Sequence, residues 1–216
     1  MRLMFYVLFP ALLLGLGAAP VYARPVSYAG GWMAMQMNDG DGHSLLLNYS
    51  PTAKYSVGYK GEYWNEKEWQ FHGVGLNNLL YRWNNPDSQG NLYLSSGAGV
   101  AYSDFGTYDG KAQAAGFTGI IADWEDRRFF VSYENRLTYA GDIDQSFTER
   151  GRLGIAPYVA EYGALHTWFM VQFDHKPGME DVFTVTPLVR LFKGSALVEV
   201  GVSDQKDVLL NVTYGF

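Results

Sequence analysis

The sequence predicts an all-β chain folded as a transmembrane antiparallel up-and-down β-barrel, with twelve strands and short turns, and three observations predict it. From Ala29 onward one pattern recurs, about ten residues of period-two alternation followed by a polar turn cluster, which places successive side chains on opposite faces of a strand. Charged residues are only 18% of the 216, while the chain holds 13 Phe, 16 Tyr, 6 Trp and 25 Gly. An ordinary soluble domain carries about 25% charged residues. A helical membrane protein needs apolar runs of roughly 20 residues, and none follows the first two dozen positions. The frequency of aromatic and β-branched residues excludes a disordered chain. Third, aromatics stand beside turns: Tyr49 and Tyr55 bracket 51–54, Trp64 and Trp69 bracket 65–68, and Trp124 and Phe129 bracket 125–128. Rings half in hydrocarbon and half in water favour such positions, and apolar-out alternation between them is what a membrane barrel requires.

The elements follow in order. Arg2 gives a positive start, Leu3 to Leu16 an apolar core, and Val21-Tyr22-Ala23 a small-x-Ala cleavage pattern. Residues 1–23 are therefore expected to be a cleaved signal peptide, and 24–216 a single barrel domain. The mature chain then carries 15 basic and 22 acidic side chains, and no cysteine. No disulfide framework or thiolate metal site is available to it. Strands are expected near 29–38, 42–50, 55–64, 69–83, 91–103 and 111–124, then 127–140, 148–160, 165–174, 183–192, 196–204 and 208–216. The fourth is irregular, because Gln70, His72, Asn77 and Asn78 cannot share one face, and a bulge at Gly73 or Gly75 is expected. Phe129, Val131, Tyr133, Leu137 and Tyr139 fall on one face of the seventh strand, with Ser132, Glu134, Arg136 and Thr138 on the other. In the last, Leu210, Val212, Tyr214 and Phe216 alternate with Leu209, Asn211, Thr213 and Gly215.

That last run, Asn211-Val212-Thr213-Tyr214-Gly215-Phe216, resembles the assembly signal of Gram-negative outer-membrane β-barrel proteins, with Tyr214 and Phe216 as its aromatic positions. The resemblance implies an even strand number, location in the cell outer membrane, both termini in the periplasm, and insertion by the outer-membrane barrel assembly machinery. With that topology the segments after odd-numbered strands form the outer rim. They hold thirteen carboxylates from Asp39 to Asp207 against Lys67, Lys111, Lys176 and Lys206, whereas the opposite turns balance four acids with four bases. An acidic rim of this kind concentrates cations, or binds divalent ions together with lipopolysaccharide phosphates.

The inward face is where a channel would act. Alternation assigns to it Lys60, Glu62, Glu134, Arg136, Arg152, Arg190 and Glu199. Charges of both signs at the wall describe a narrow polar pore; charges paired with one another describe a filled, closed barrel. Interior side chains fill an eight-stranded barrel and the diameter grows with strand number, so twelve strands leave water-filled space. Met33, Met35 and Met37 make a thioether stripe that could hold Cu(I), but the pattern reads as lipid-facing, with Trp32, Ala34, Gln36 and Asn38 inward. Asp39-Gly40-Asp41-Gly42 lacks the remaining ligands of a calcium loop and reads as a tight hairpin.

A lipid hydrolase would need a nucleophile and a base in reach. Among His43, His72, His166 and His175, His43 and Ser44 point to opposite faces, and only His166, facing inward toward Ser132, offers a pairing. No phosphate loop, dinucleotide fingerprint, zinc spacing or basic nucleic-acid patch occurs, so no cofactor and no nucleic-acid partner is expected. The expected function is a passive channel for small solutes or ions, with a lipid-modifying hydrolase or a non-conducting structural barrel as alternatives. Narrow monomeric porins for acidic sugars are similar in strand count and short turns, but this chain lacks their dominant basic track.

Overall fold

A computed structural model describes residues 24–216 except 105 and 162, so the expected signal peptide lies outside the described residues. Twelve strands follow one another: β1 (Trp32–Asn38), β2 (Gly42–Thr52), β3 (Tyr55–Trp64), β4 (Trp69–Asn84), β5 (Ser88–Ser103) and β6 (Ala112–Asp126). Then come β7 (Phe129–Tyr139), β8 (Gln145–Ile155), β9 (His166–His175), β10 (Phe183–Lys193), β11 (Ala196–Val202) and β12 (Val208–Gly215). Each pairs antiparallel with the next, and β12 returns to β1 to close the barrel. The seam runs from Met33↔Gly215 to Asn38↔Leu210. Trp32 and Phe216 exchange both backbone hydrogen bonds, at 2.7 and 2.9 Å. Closure leaves no unpaired edge, the condition for placing a sheet in hydrocarbon, where nothing else can satisfy backbone N–H and C=O groups.

Alternation carries through to the two surfaces. In β12 the outward residues are exposed, Val208, Leu210, Val212 and Tyr214, and the residues between them are buried. On β7 the outward set is Phe129, Val131, Tyr133, Leu137 and Tyr139, with Leu137 56% and Tyr139 60% exposed. An exterior of this composition would aggregate in water and is solvated by lipid.

The barrel departs from the expected pattern at three places. The bulge on β4 lies between Leu79 and Tyr81, not at Gly73 or Gly75, and a second irregularity falls between Tyr49 and Thr52. Gly73 and Gly75 stay in register because they face Gly99 and Gly97 across the β4–β5 ladder. Those glycines leave a shallow wall on which the rings of Phe71 and Phe117 lie; a Cβ on Gly97 would collide with the Phe117 ring and meet the Val74 carbonyl at 2.8 Å. Trp64 and Trp69 are not interface aromatics. They point inward and stack at 5.7 Å and 10°, and Trp69 is fully buried.

The third departure is the methionine stripe. Register with β12 puts Met33, Met35 and Met37 on the face of Gly215, Thr213 and Asn211, which is the interior, and Ala34, Gln36 and Asn38 on the lipid side. Met33 is 2% exposed and Trp32 47%. The outward polar groups are satisfied near the barrel end, where Asn38 donates to the Leu210 carbonyl at 2.9 Å and contacts His43 Nδ1 at 3.0 Å.

Apolar packing inside gathers in two clusters, the smaller one of Met170, Leu188 and Leu209 on β9, β10 and β12 with Phe130 and Trp168 against it. Trp69, Phe71, Ala101, Ala115 and Phe117 form an apolar cluster on β4, β5 and β6, capped by Ala140 and Ile143 of the β7–β8 connection, with Trp64 and Tyr108 against it. Phe71 and Phe117 meet edge to face at 5.8 Å, a geometry favoured by ring quadrupoles.

Candidate functional site

All seven charged residues singled out above sit on inward positions, and they fall into two groups. The first spans the barrel. Arg136 of β7 donates two parallel hydrogen bonds to Glu62 of β3, at 2.6 and 2.7 Å, although three strands separate them around the wall. Lys60, two residues before Glu62 and therefore on the same face, reaches the same carboxylate at 3.1 Å. Both cations rest on the aromatic wall, Lys60 at 4.4 Å and Arg136 at 4.2 Å from the Phe117 ring centroid. A planar guanidinium suits this double role, forked toward the carboxylate and flat against a ring. Glu134 faces Arg150 across the β7–β8 ladder.

The second group lies on β8 to β12. Glu199 takes hydrogen bonds from Arg190 at 2.7 Å, from Asn211 at 2.8 Å and from Arg152 at 3.3 Å. Arg152 also donates to Gln172 at 2.8 Å, and the Arg190 guanidinium lies 4.6 Å from the Phe130 ring. Glu199 is 3% exposed, and a carboxylate that buried is tolerated only because its acceptor sites are filled.

Alternation alone passed over several members. Arg150 stands two residues before Arg152 on the same face of β8, a spacing that was available to reading. It donates to Asp174 at 2.6 Å and, across the interior, to Asp39 at 3.2 Å. Asp174 belongs to β9 and points inward, not to the outer turn; Gln172 donates to it at 2.7 Å. With Asp174 moved, the connections after odd strands hold twelve carboxylates and four lysines, still strongly acidic.

Those connections cross the mouth at one end of the barrel. Lys176, after β9, pairs with Asp41 between β1 and β2. Lys67, after β3, pairs with Asp144 before β8, and the Glu180 backbone N–H donates to the Glu66 carboxylate at 3.2 Å. Burial, and then the neighbouring Asp39, hold the Asp41 carboxyl above the usual carboxylate range, while Lys176 and Arg150 act in the other direction. Just inside, a cavity of about 120 Å³ is bounded by Lys60, Glu62, Glu134, Arg136, Arg150 and Asp174. A polar space of that size has room for several waters, which fits a wetted but constricted passage.

The histidines do not assemble a hydrolytic site. His43 contacts Asn38, His72 contacts Tyr59 and Gln70, and His175 contacts Glu149 at 2.9 Å, all on the outer surface. His166 does face inward, but its neighbour is the Phe192 ring at 6.0 Å. Ser132 lies level with Arg152 and Gln172, six residues along β9 from His166, too far to pair.

Fold and interior together define a class: a closed, porin-like antiparallel β-barrel with an apolar exterior and charged residues inside. No protein-family model matches the chain, and no curated protein matches its sequence. Among solved structures, the chain is similar to the KdgM porin in complex with disordered oligogalacturonate, with a TM-score of 0.50 and 11% identity over 86% of this chain and 98% of that one. A second KdgM porin structure agrees at 0.50 and 12% over 86% and 99%. LpxR from Salmonella typhimurium is similar at a TM-score of 0.45 and 7% identity over 85% and 99%.

Proposed function

We propose that this barrel is a narrow passive channel of the outer membrane for small solutes or ions. The observation that carries the reading is the interior midsection, where Lys60, Arg136 and Arg150 meet Glu62, Glu134 and Asp174 around a small polar cavity, with Arg152, Arg190 and Glu199 grouped beside it on β8, β10 and β11. The interior charges pair with one another and narrow the barrel, but they leave this polar space between them, so the interior is constricted and not filled. The KdgM porin sharing this fold was solved with oligogalacturonate; the near balance of charge here favours small solutes over a polyanion. In this reading residues 1–23 are removed on export, and both termini face the periplasm. Tyr214 and Phe216 are then read by the assembly machinery, and the acidic rim faces lipopolysaccharide.

The test is planar-bilayer conductance under a salt gradient. Small unitary currents with a mild cation preference set by the acidic mouth are expected; absence of conductance, or anion selectivity, overturns the reading. The reading includes no catalysis, so release of fatty acid from phospholipid or lipid A that disappears in His166→Ala would also overturn it.

A further inference from the structure

Residues 24–31 precede β1 and lie at the end of the barrel opposite the acidic mouth. The first residues of a domain are usually loose unless something ties them down, and here a series of bonds does so. The Gly30 N–H donates to the Ser50 carbonyl at 2.7 Å, and the Ser50 N–H donates to the Gly31 carbonyl at 2.9 Å. The Ser27 N–H donates to the Ser50 hydroxyl at 3.0 Å. The Ser56 hydroxyl donates to the Pro25 carbonyl at 2.6 Å and accepts from Asn77 at 3.2 Å. At the far end of the segment the Arg24 guanidinium pairs with Glu125. Val26, between these anchors, is 3% exposed, as enclosed as the core.

These anchors do not follow the wall. Ser50 belongs to β2 and Ser56 to β3, whereas Glu125 stands near the end of β6, four strands on from β2 in a ring of twelve. Neighbouring strands are about 4.8 Å apart, so that arc is roughly 19 Å. The backbone from Ser27 to Arg24 extends at most about 11 Å, and the Arg24 side chain supplies the remainder. A segment that short, joining points a third of the way round, cuts across the mouth as a chord. Along its course the inward groups of the wall are buried, with Ser56, Asn91 and Tyr93 at 0% exposure. The charges on this side are matched to it. Arg82 donates to Asn91 at 2.6 Å, Asn91 donates to Asp123 at 2.7 Å, and Glu125 receives Arg24.

We infer that residues 24–31 form a built-in strap that narrows this second mouth, latched by Arg24 to Glu125, and that the two latch charges set the ion preference there. The effect on current rests on the channel reading, but the latch itself is read without conduction. The chain holds no cysteine, so one introduced thiol reports the strap. In the exported, detergent-extracted protein, Val26→Cys should react with a maleimide severalfold more slowly than Ala29→Cys, whose position is exposed. Adding Glu125→Gln should speed labelling at position 26 severalfold. Salt should speed it only where the Arg24–Glu125 pair is intact, since screening weakens a partly exposed ion pair. In bilayers, Arg24→Gln and Glu125→Gln should each raise unitary conductance yet move selectivity in opposite directions, toward cations and toward anions respectively. A segment that only props the wall would produce neither change. Each variant is checked by far-ultraviolet circular dichroism for an unchanged strand signal. Labelling of Val26→Cys as fast as Ala29→Cys, or labelling indifferent to Glu125→Gln, overturns the proposal. So do unaltered currents in conducting latch variants, or selectivity shifts of the same sign. If labelling responds but no chain conducts, the channel reading fails and the latched strap stands.

Discussion

At the residue scale, Glu62 and Arg136 show how differently two halves of one ion pair can matter. Glu62 serves two cations, Arg136 and Lys60, so Glu62→Gln leaves both without their carboxylate in a largely buried setting. Losing one partner of a buried pair costs about 3–5 kcal/mol, and a loss of that order is expected in the urea stability of the micelle-folded barrel. Arg136→Gln leaves Glu62 with Lys60 and should destabilise less. It should also enlarge unitary conductance, because the bidentate bridge it deletes crosses the interior. A larger stability loss for Arg136→Gln than for Glu62→Gln would contradict this ranking. None of the cross-barrel pairs was legible in advance. Alternation tells which side a residue faces, but whether residue 62 meets residue 136 depends on barrel closure and strand stagger, which no short stretch of sequence encodes.

At the element scale, the strands themselves were legible where the lipid face is uniformly apolar, as in β7 and β12. They were misread where it is not. In β1, methionine looked like a lipid residue and Gln36 and Asn38 like lumen residues, yet the register with β12 assigns the opposite. Polar groups close to a strand end can bond to neighbouring backbone and reach the wet interface, so their polarity carried no information about facing. Trp64 and Trp69 failed for a related reason: an aromatic beside a turn is equally at home in the interface or stacked inside. Beside them, the glycines of β4 and β5 clear the wall for the rings of Phe71 and Phe117. Gly97→Ala should push the Phe117 ring from its seat and destabilise the barrel by about 1–3 kcal/mol, the usual cost of overpacking. An unchanged urea midpoint would show that the ring has room to yield.

At the scale of the whole molecule, the chain divides its work among three shells: an apolar exterior, a charged interior and an acidic mouth crossed by ion pairs. Because Lys176–Asp41 and Lys67–Asp144 join connections from different parts of the circumference, the mouth is laced rather than open. The variant Lys67→Gln with Lys176→Gln should give larger currents at low salt and a flatter dependence of conductance on ionic strength, since partly exposed ion pairs weaken as salt screens them. Currents that keep the original salt profile would show that these pairs do not limit entry.

The apolar cluster on β4 to β6 also means that the barrel is not equivalent around its circumference. At the constriction a slit remains between Lys60 and Arg136, backed by the Phe117 ring, and the Arg150–Asp174 pair, while a second apolar cluster of Met170, Leu188 and Leu209 lies on β9, β10 and β12. Such a slit has a transverse polarity that a symmetric pore lacks. A molecule with one greasy edge and one charged edge would be turned to a single rotational setting as it passes, so discrimination here rests on how charge is arranged around a solute as well as on its size and net charge.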